Sequence, residues 1–128
     1  MTSLVACLST GKGTWSEVIK ILNGEDWDKI YLITNDFGKE KFSIDKEVDL
    51  IPLNLNASPK VLTGQMVEVL AKKKLGREVA VNISSGSGNE HMALLSALLK
   101  LGLGMRFVYV EDGKVEELKL FDYSFEPM

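Results

Sequence analysis

The chain is most informative first in what it lacks. Its single cysteine, Cys7, lies inside an apolar run, so the sequence offers no internal disulfide and no cysteine zinc site. Its single histidine, His91, stands alone, and no acidic pair is spaced for magnesium, so neither a metal nor another cofactor is expected. No basic segment precedes an apolar stretch at the start, and no apolar window reaches membrane-spanning length. A cytoplasmic protein without membrane contacts is the expectation. Basic charge is also short. With a formal net charge of −3 and no lysine or arginine stripe, a duplex nucleic-acid partner is not expected. The Lys72-Lys73-Lys74 run falls near the end of a predicted helix, where lysines favour the C-terminal dipole.

What is present suits one domain with a sizeable core: 128 residues, 45% hydrophobic, and no linker or composition shift. The most informative stretch is Glu78 to Leu101. Val79, Val81 and Ile83 read as a buried strand, Ser84-Ser85-Gly86-Ser87-Gly88 as a small-residue loop, and the remainder as a very apolar helix. Ser87 and Glu90 have capping-box spacing, which makes Ser87 the predicted N-cap. Small residues allow backbone amides to approach a ligand, and the helix directs its positive end to the same place. A tight strand-to-helix turn with no ligand is the competing reading of these residues.

The same device opens the chain. Ser3 to Leu8 is a continuous apolar run, as for a strand covered on both faces. Ser9-Thr10-Gly11-Lys12-Gly13 follows, and Thr14 and Glu17 repeat the capping-box spacing. Trp15, Val18, Ile19 and Leu22 then give a helical stripe ending at Asn23-Gly24. Lys29 to Thr34 is a second strand. Asn35 to Asp49 reads as a surface connection with one helical turn, anchored by Phe37, Phe42, Ile44 and Val48. Leu50 to Leu55 is a third strand, and Pro52 places it at an edge. Ser58-Pro59 starts a helix whose buried face is predicted as Val61, Leu62, Met66, Val69 and Leu70. After the central segment, Met105 to Glu111 is a strand, Asp112-Gly113 a two-residue hairpin, and Lys114 to Phe121 the returning strand.

This order predicts an α/β fold: a Rossmann-like, mostly parallel sheet with helices on both faces and a C-terminal antiparallel hairpin. In the strand order 3-2-1-4-5-6, the strands ending at Leu8 and Ile83 are neighbours and their helices go to opposite faces. Ligands of open α/β sheets bind at that switch point, where both small-residue loops would meet. GxxxxGK[ST] is absent, and neither Gly11-Lys12-Gly13 nor Gly86-Ser87-Gly88 completes GxGxxG, so Walker and dinucleotide fingerprints both fail. His91 reads as a first-turn helix residue before it reads as a catalyst.

The segment Val81-Asn82-Ile83-Ser84-Ser85-Gly86-Ser87, followed by Met92-Ala93 and a small apolar helix, resembles the signature of CARF domains, the CRISPR-associated Rossmann-fold sensors. Their fourth strand ends in a motif of the type N/D-h-T-G-G-T-K-x-M, where h is apolar. The order of elements and the final hairpin fit across nearly the whole chain. The departures are Ser85 at the first glycine, Ser87 at the second threonine, Gly88 at the lysine, and Met92 two positions late. The resemblance implies a homodimer binding cyclic oligoadenylate in a groove across its two-fold axis, as in type III CRISPR signalling. By position, Ser9, Thr10 and Lys12 match the first binding loop, with Gly11 and Gly13 beside them. Asn82 and Ser84, Ser85, Gly86, Ser87, Gly88 and Asn89 match the second. Stand-alone members implied by the resemblance include metal-independent ring nucleases, which cleave by in-line attack of a ribose 2′-hydroxyl. For that chemistry Lys12, Ser87 and the loop amides are the stabilising candidates and His91 the proton-transfer candidate.

A homodimer is also expected from the residues themselves. Met92, Ala93, Leu94, Leu95, Ala97, Leu98, Leu99 and Leu101 leave only a thin polar stripe at Asn89, Ser96 and Lys100. A second subunit is the simplest cover, and the hairpin or tail is the other. The alternative function is a nucleotide-binding or dimerising Rossmann-like domain unrelated to CRISPR.

Overall fold

A computed structural model describes residues 2–9 and 14–118. Its elements run β1 (Ser3–Leu8), α1 (Trp15–Gly24), β2 (Ile30–Thr34), α2 (Asp36–Lys41), β3 (Asp49–Pro52), α3 (Pro59–Leu70), β4 (Glu78–Asn82), α4 (Gly88–Lys100), β5 (Gly104–Glu111) and β6 (Lys114–Leu118). The six strands form one sheet in the order β3-β2-β1-β4-β5-β6. All neighbours are parallel except β5 and β6, which pair antiparallel from Glu111 with Lys114 to Phe107 with Leu118. The fold is therefore the mostly parallel α/β sheet with a closing hairpin that the sequence predicts. Asp112 and Gly113 both have positive φ, 51° and 76°, as the tight turn between right-twisted strands requires.

β1 lies at the centre because every one of its side chains can be buried. Val5 and Cys7 enter the core on the α3 and α4 side. Leu4, Ala6 and Leu8 enter the core on the α1 side, with Trp15, Val18, Ile21, Leu22 and Phe42. An uninterrupted apolar run is what alternation demands of a strand covered on both faces. β3 is an edge strand that stops at Pro52, which has no N–H to continue the ladder. Ser58 caps α3 by accepting from the Val61 amide at 3.3 Å, and Pro59 occupies the first helical position.

Three expectations need correction. Val61 does not join the buried face of α3; it is 52% exposed, and Leu62, Met66 and Leu70 carry the packing. Val61 lies just before Leu62 on the helix, on the outer edge of an apolar stripe that one sheet face cannot fully cover. Thr14 makes no side-chain cap on α1. Its hydroxyl donates instead to Ser85 Oγ at 2.8 Å, a tertiary acceptor that outcompetes the local amide. Phe37 is not a buried anchor of the connection after β2, being 46% exposed on α2. The tail with Tyr123 and Phe125, and the end of the last strand towards Phe121, lie outside the described residues. No helix among the described residues is long and apolar enough to cross a membrane.

Candidate functional site

β1 and β4 pair directly, Ser3 with Val79 through Ala6 with Asn82, so the segments leaving their carboxyl ends meet. Ser9 and Ser85 make the junction. The Ser9 amide donates to Ser85 Oγ at 2.9 Å, and Ser85 Oγ donates back to the Ser9 carbonyl at 2.7 Å. With Thr14 donating to the same hydroxyl, Ser85 spends its hydrogen-bonding capacity inside the protein. Ser85 is fully buried and Ser9 nearly so. Both residues bond within the protein and join the two strand ends.

Asn82 is likewise internal. Its Nδ2 donates to the Val108 carbonyl at 2.9 Å and to Ser84 Oγ at 3.0 Å, while Oδ1 accepts from the Ser84 amide at 3.2 Å. A buried carboxamide with both ends paired sets the exit angle of the loop and ties β4 to β5. Glu90 is the residue that spacing alone undervalues. It completes the capping box: Ser87 N–H donates to Oε2 at 2.7 Å and Ser87 Oγ accepts from the Glu90 amide at 3.3 Å. Its other oxygen takes the Ser9 hydroxyl at 2.5 Å. A carboxylate only 3% exposed thus has partners on both oxygens. The capping-box spacing signals its first role; nothing local signals the second.

Gly86 bends over this cluster with φ +104°, a conformation open to glycine. A Cβ there would lie 3.1 Å from His91 Nε2, 3.3 Å from Cys7 Cβ and 3.4 Å from Glu90 Oε1. The close approach that this glycine permits is to the protein's own side chains. The buried Cys7 thiol is pushed up to about 12 by burial and, secondarily, by the Glu90 carboxylate, so it stays protonated and unreactive at neutral pH. His91 Nε2 lies 2.8 Å from the Ser85 carbonyl. A carbonyl only accepts, so Nε2 carries the proton in that contact and Nδ1 of the neutral ring is an acceptor.

Ser84, Ser87, Gly88 and Asn89 are the exposed members of the second loop, with His91 half-buried beside them. The Gly88 and Asn89 amides, the first two of α4, have no acceptor among the described residues. These two amides, two hydroxyls and an imidazole can bind and orient an anion or a polar ring substituent. Ser87 keeps its hydroxyl proton while capping α4. Thr10, Gly11, Lys12 and Gly13 of the first loop lie outside the described residues. No cluster of three or more histidine, cysteine, aspartate or glutamate residues among the described residues is arranged to hold a metal ion.

A cleft of about 610 Å³ lies at the opposite end of the sheet, between the amino ends of β2 and β3 and the 72–74 turn. Its charges are mixed and partly engaged: Lys73 pairs with Asp49 at 2.7 Å, and Lys46 donates to the Leu22 carbonyl at 2.6 Å. Size alone does not make it the better site, because Lys29, Lys72 and Lys74 share its lining with Asp26, Asp28 and Glu47 and no one sign of charge dominates. The chain matches no family model and no curated protein.

Proposed function

We propose that this chain is a CARF-like, cyclic oligoadenylate-binding domain of type III CRISPR signalling, acting as a homodimer. The observation that carries the proposal is the Ser9–Ser85 junction at the switch point. It fixes the residue that follows β1 to the loop that follows β4, while Ser84, Ser87, Gly88 and Asn89 of that loop stay exposed. A preorganised set of donors at a helix N-terminus lowers the ordering cost of binding phosphate groups. The exposed Met92 and Leu99, seven positions apart on α4, share one outer face of the helix that begins at the loop, so a second subunit packed along that face would bring two such loops to one groove.

Binding is the primary function in this reading. Ser87 and His91 Nδ1 supply only a hydroxyl and an acceptor. In the metal-independent cleavage that would use them, the positioned 2′-oxygen bonds to the adjacent phosphorus as the P–O5′ bond breaks. The proton lost from the 2′-hydroxyl is replaced on the departing 5′-oxygen, leaving a 2′,3′-cyclic phosphate and a free 5′-hydroxyl. The test is calorimetry of cyclic tetra-adenylate against the purified chain in EDTA. Saturable binding of one ring per two chains is expected, and absence of heat with any cyclic oligoadenylate overturns the proposal. One observation favours a second reading, a dimerising domain unrelated to CRISPR. The α4 N-terminus already receives its own carboxylate from Glu90, as a purely structural turn would. On that reading the chain dimerises and binds no ring.

A further inference from the structure

The carboxyl edge of the sheet has a second feature beside the loops. The Leu53 amide donates to the Thr34 carbonyl at 2.8 Å, drawing the ends of β2 and β3 together. Between residues 35–37 and 52–56 they leave a cleft of about 460 Å³, inside the roughly 300–1,000 Å³ range of small-molecule sites. Phe37 lines it and is 46% exposed, so part of its ring is open to whatever enters the cleft. The ring is braced from behind. Its centroid lies 5.9 Å from that of Trp15 at 45°, and Trp15 meets Phe42 edge-on at 5.6 Å and 78°. Trp15 and Phe42 are both buried, so Phe37 is an exposed face on a fixed aromatic support.

Polar groups surround the rest of the opening. Asp36 and Asn56 have no side-chain partner among the described residues, and Asn54 uses only Oδ1, accepting from the Asn56 amide at 3.2 Å. Leu53 and Leu55 supply an apolar wall. A phosphate placed here would meet the Asp36 carboxylate and be repelled. An uncharged planar ring carrying an exocyclic amine meets a stacking face, an apolar wall and an acceptor.

We propose that this cleft is the base subsite of the ligand, with an adenine ring stacked on Phe37 and its exocyclic amine donating to Asp36. The inference rests on the nucleotide reading above and divides the ligand physically. Phosphates go to the α4 amides and the base goes to the β2–β3 edge.

Adenosine, which has no phosphate, is the direct probe, followed by nitrogen–proton correlation NMR. The Trp15 indole N–H and the Asn54 side-chain amide should shift saturably, while the Trp27 indole, at the amino end of the sheet, stays still. Phe37→Ala should weaken the adenosine effect on the order of 5- to 100-fold, the scale of one stacked base, and Phe37→Tyr should restore it. Inosine, with an acceptor at the amine position, should bind several-fold more weakly; equal binding would remove Asp36 from the assignment. A saturable Trp15 shift that Phe37→Ala weakens supports the subsite even where cyclic tetra-adenylate fails to bind, and that failure then counts against the functional reading alone. No shift at Trp15 and Asn54, or a shift indifferent to Phe37→Ala, overturns the subsite. If cyclic tetra-adenylate still binds, the functional reading stands without it.

Discussion

The Ser9 hydroxyl donates to Glu90 Oε1 at 2.5 Å, joining the end of β1 to the first turn of α4 across 81 positions of sequence. Because Glu90 also accepts the Ser87 amide, one buried carboxylate holds a helix cap and a strand end together. Losing one partner leaves the carboxylate buried and half-satisfied, which costs more than the bond contributed. Ser9→Ala should therefore lower stability by about 1–3 kcal/mol in urea unfolding. In a double-mutant cycle with Glu90→Gln, the two losses should be non-additive by at least about 0.5 kcal/mol. Simple additivity would mean that the contact contributes nothing of its own.

Two neighbouring glycines should respond in opposite ways. Gly86→Ala puts a Cβ against His91, Cys7 and Glu90 at φ +104°, and should cost about 1–3 kcal/mol. Gly88→Ala meets open space at the first helical position and should be neutral or stabilising by up to about 1 kcal/mol. Thermal melts of the two variants give the comparison. Equal effects would show that the loop does not hold this backbone in solution.

Cys7 makes alkaline stability a readout of the same cluster. Its thiol has an ordinary value of 9.0 and is raised to about 12 in the fold, so the folded state keeps a proton that the unfolded state releases. The contribution is fully present below about pH 9 and is lost as pH rises towards 12, with a slope near 1.4 kcal/mol per pH unit. Cys7→Ala should flatten that part of the curve. In the native protein the thiol should resist alkylation at pH 8 and react once urea unfolds the chain. Rapid native-state alkylation would contradict the burial.

The outer face of α4 predicts the oligomeric state. Ala93, Leu94, Ala97 and Leu98 are fully buried, whereas Met92 is 55% and Leu99 65% exposed. Light scattering at micromolar concentration should give twice the 14.2 kDa chain mass. Leu99→Lys should return it to the monomer mass with the far-UV circular dichroism of the fold unchanged, because Leu99 is 65% exposed and belongs to neither core cluster of its own chain. A monomeric wild-type chain would remove the shared groove from the functional proposal.

The sequence by itself determined that six strands form, their order, the hairpin and the α4 cap, though the third strand ends at Pro52 and not Leu55, and the fourth at Asn82 and not Ile83. The elements rest on local information: the unbroken apolar run from Ser3 to Leu8, Asp112-Gly113, and Ser87 three residues before Glu90. The order follows from fold-class rules, and Pro52 marks the edge strand but ends it early. Periodicity and capping are short-range physics, so spacing carries them. Tertiary structure alone decided which polar residues of the loops stay exposed and which bond to one another. Ser9, Asn82 and Ser85 have the composition of a binding loop, yet each is satisfied internally by residues 26 to 81 positions away. Ser84, Ser87, Gly88 and Asn89, of the same kind, are left exposed. A serine accepts any well-placed donor, and nothing in its neighbours along the chain says which one the fold will bring. The same holds for Phe37, whose exposure depends on Trp15 and Phe42 filling the space behind it.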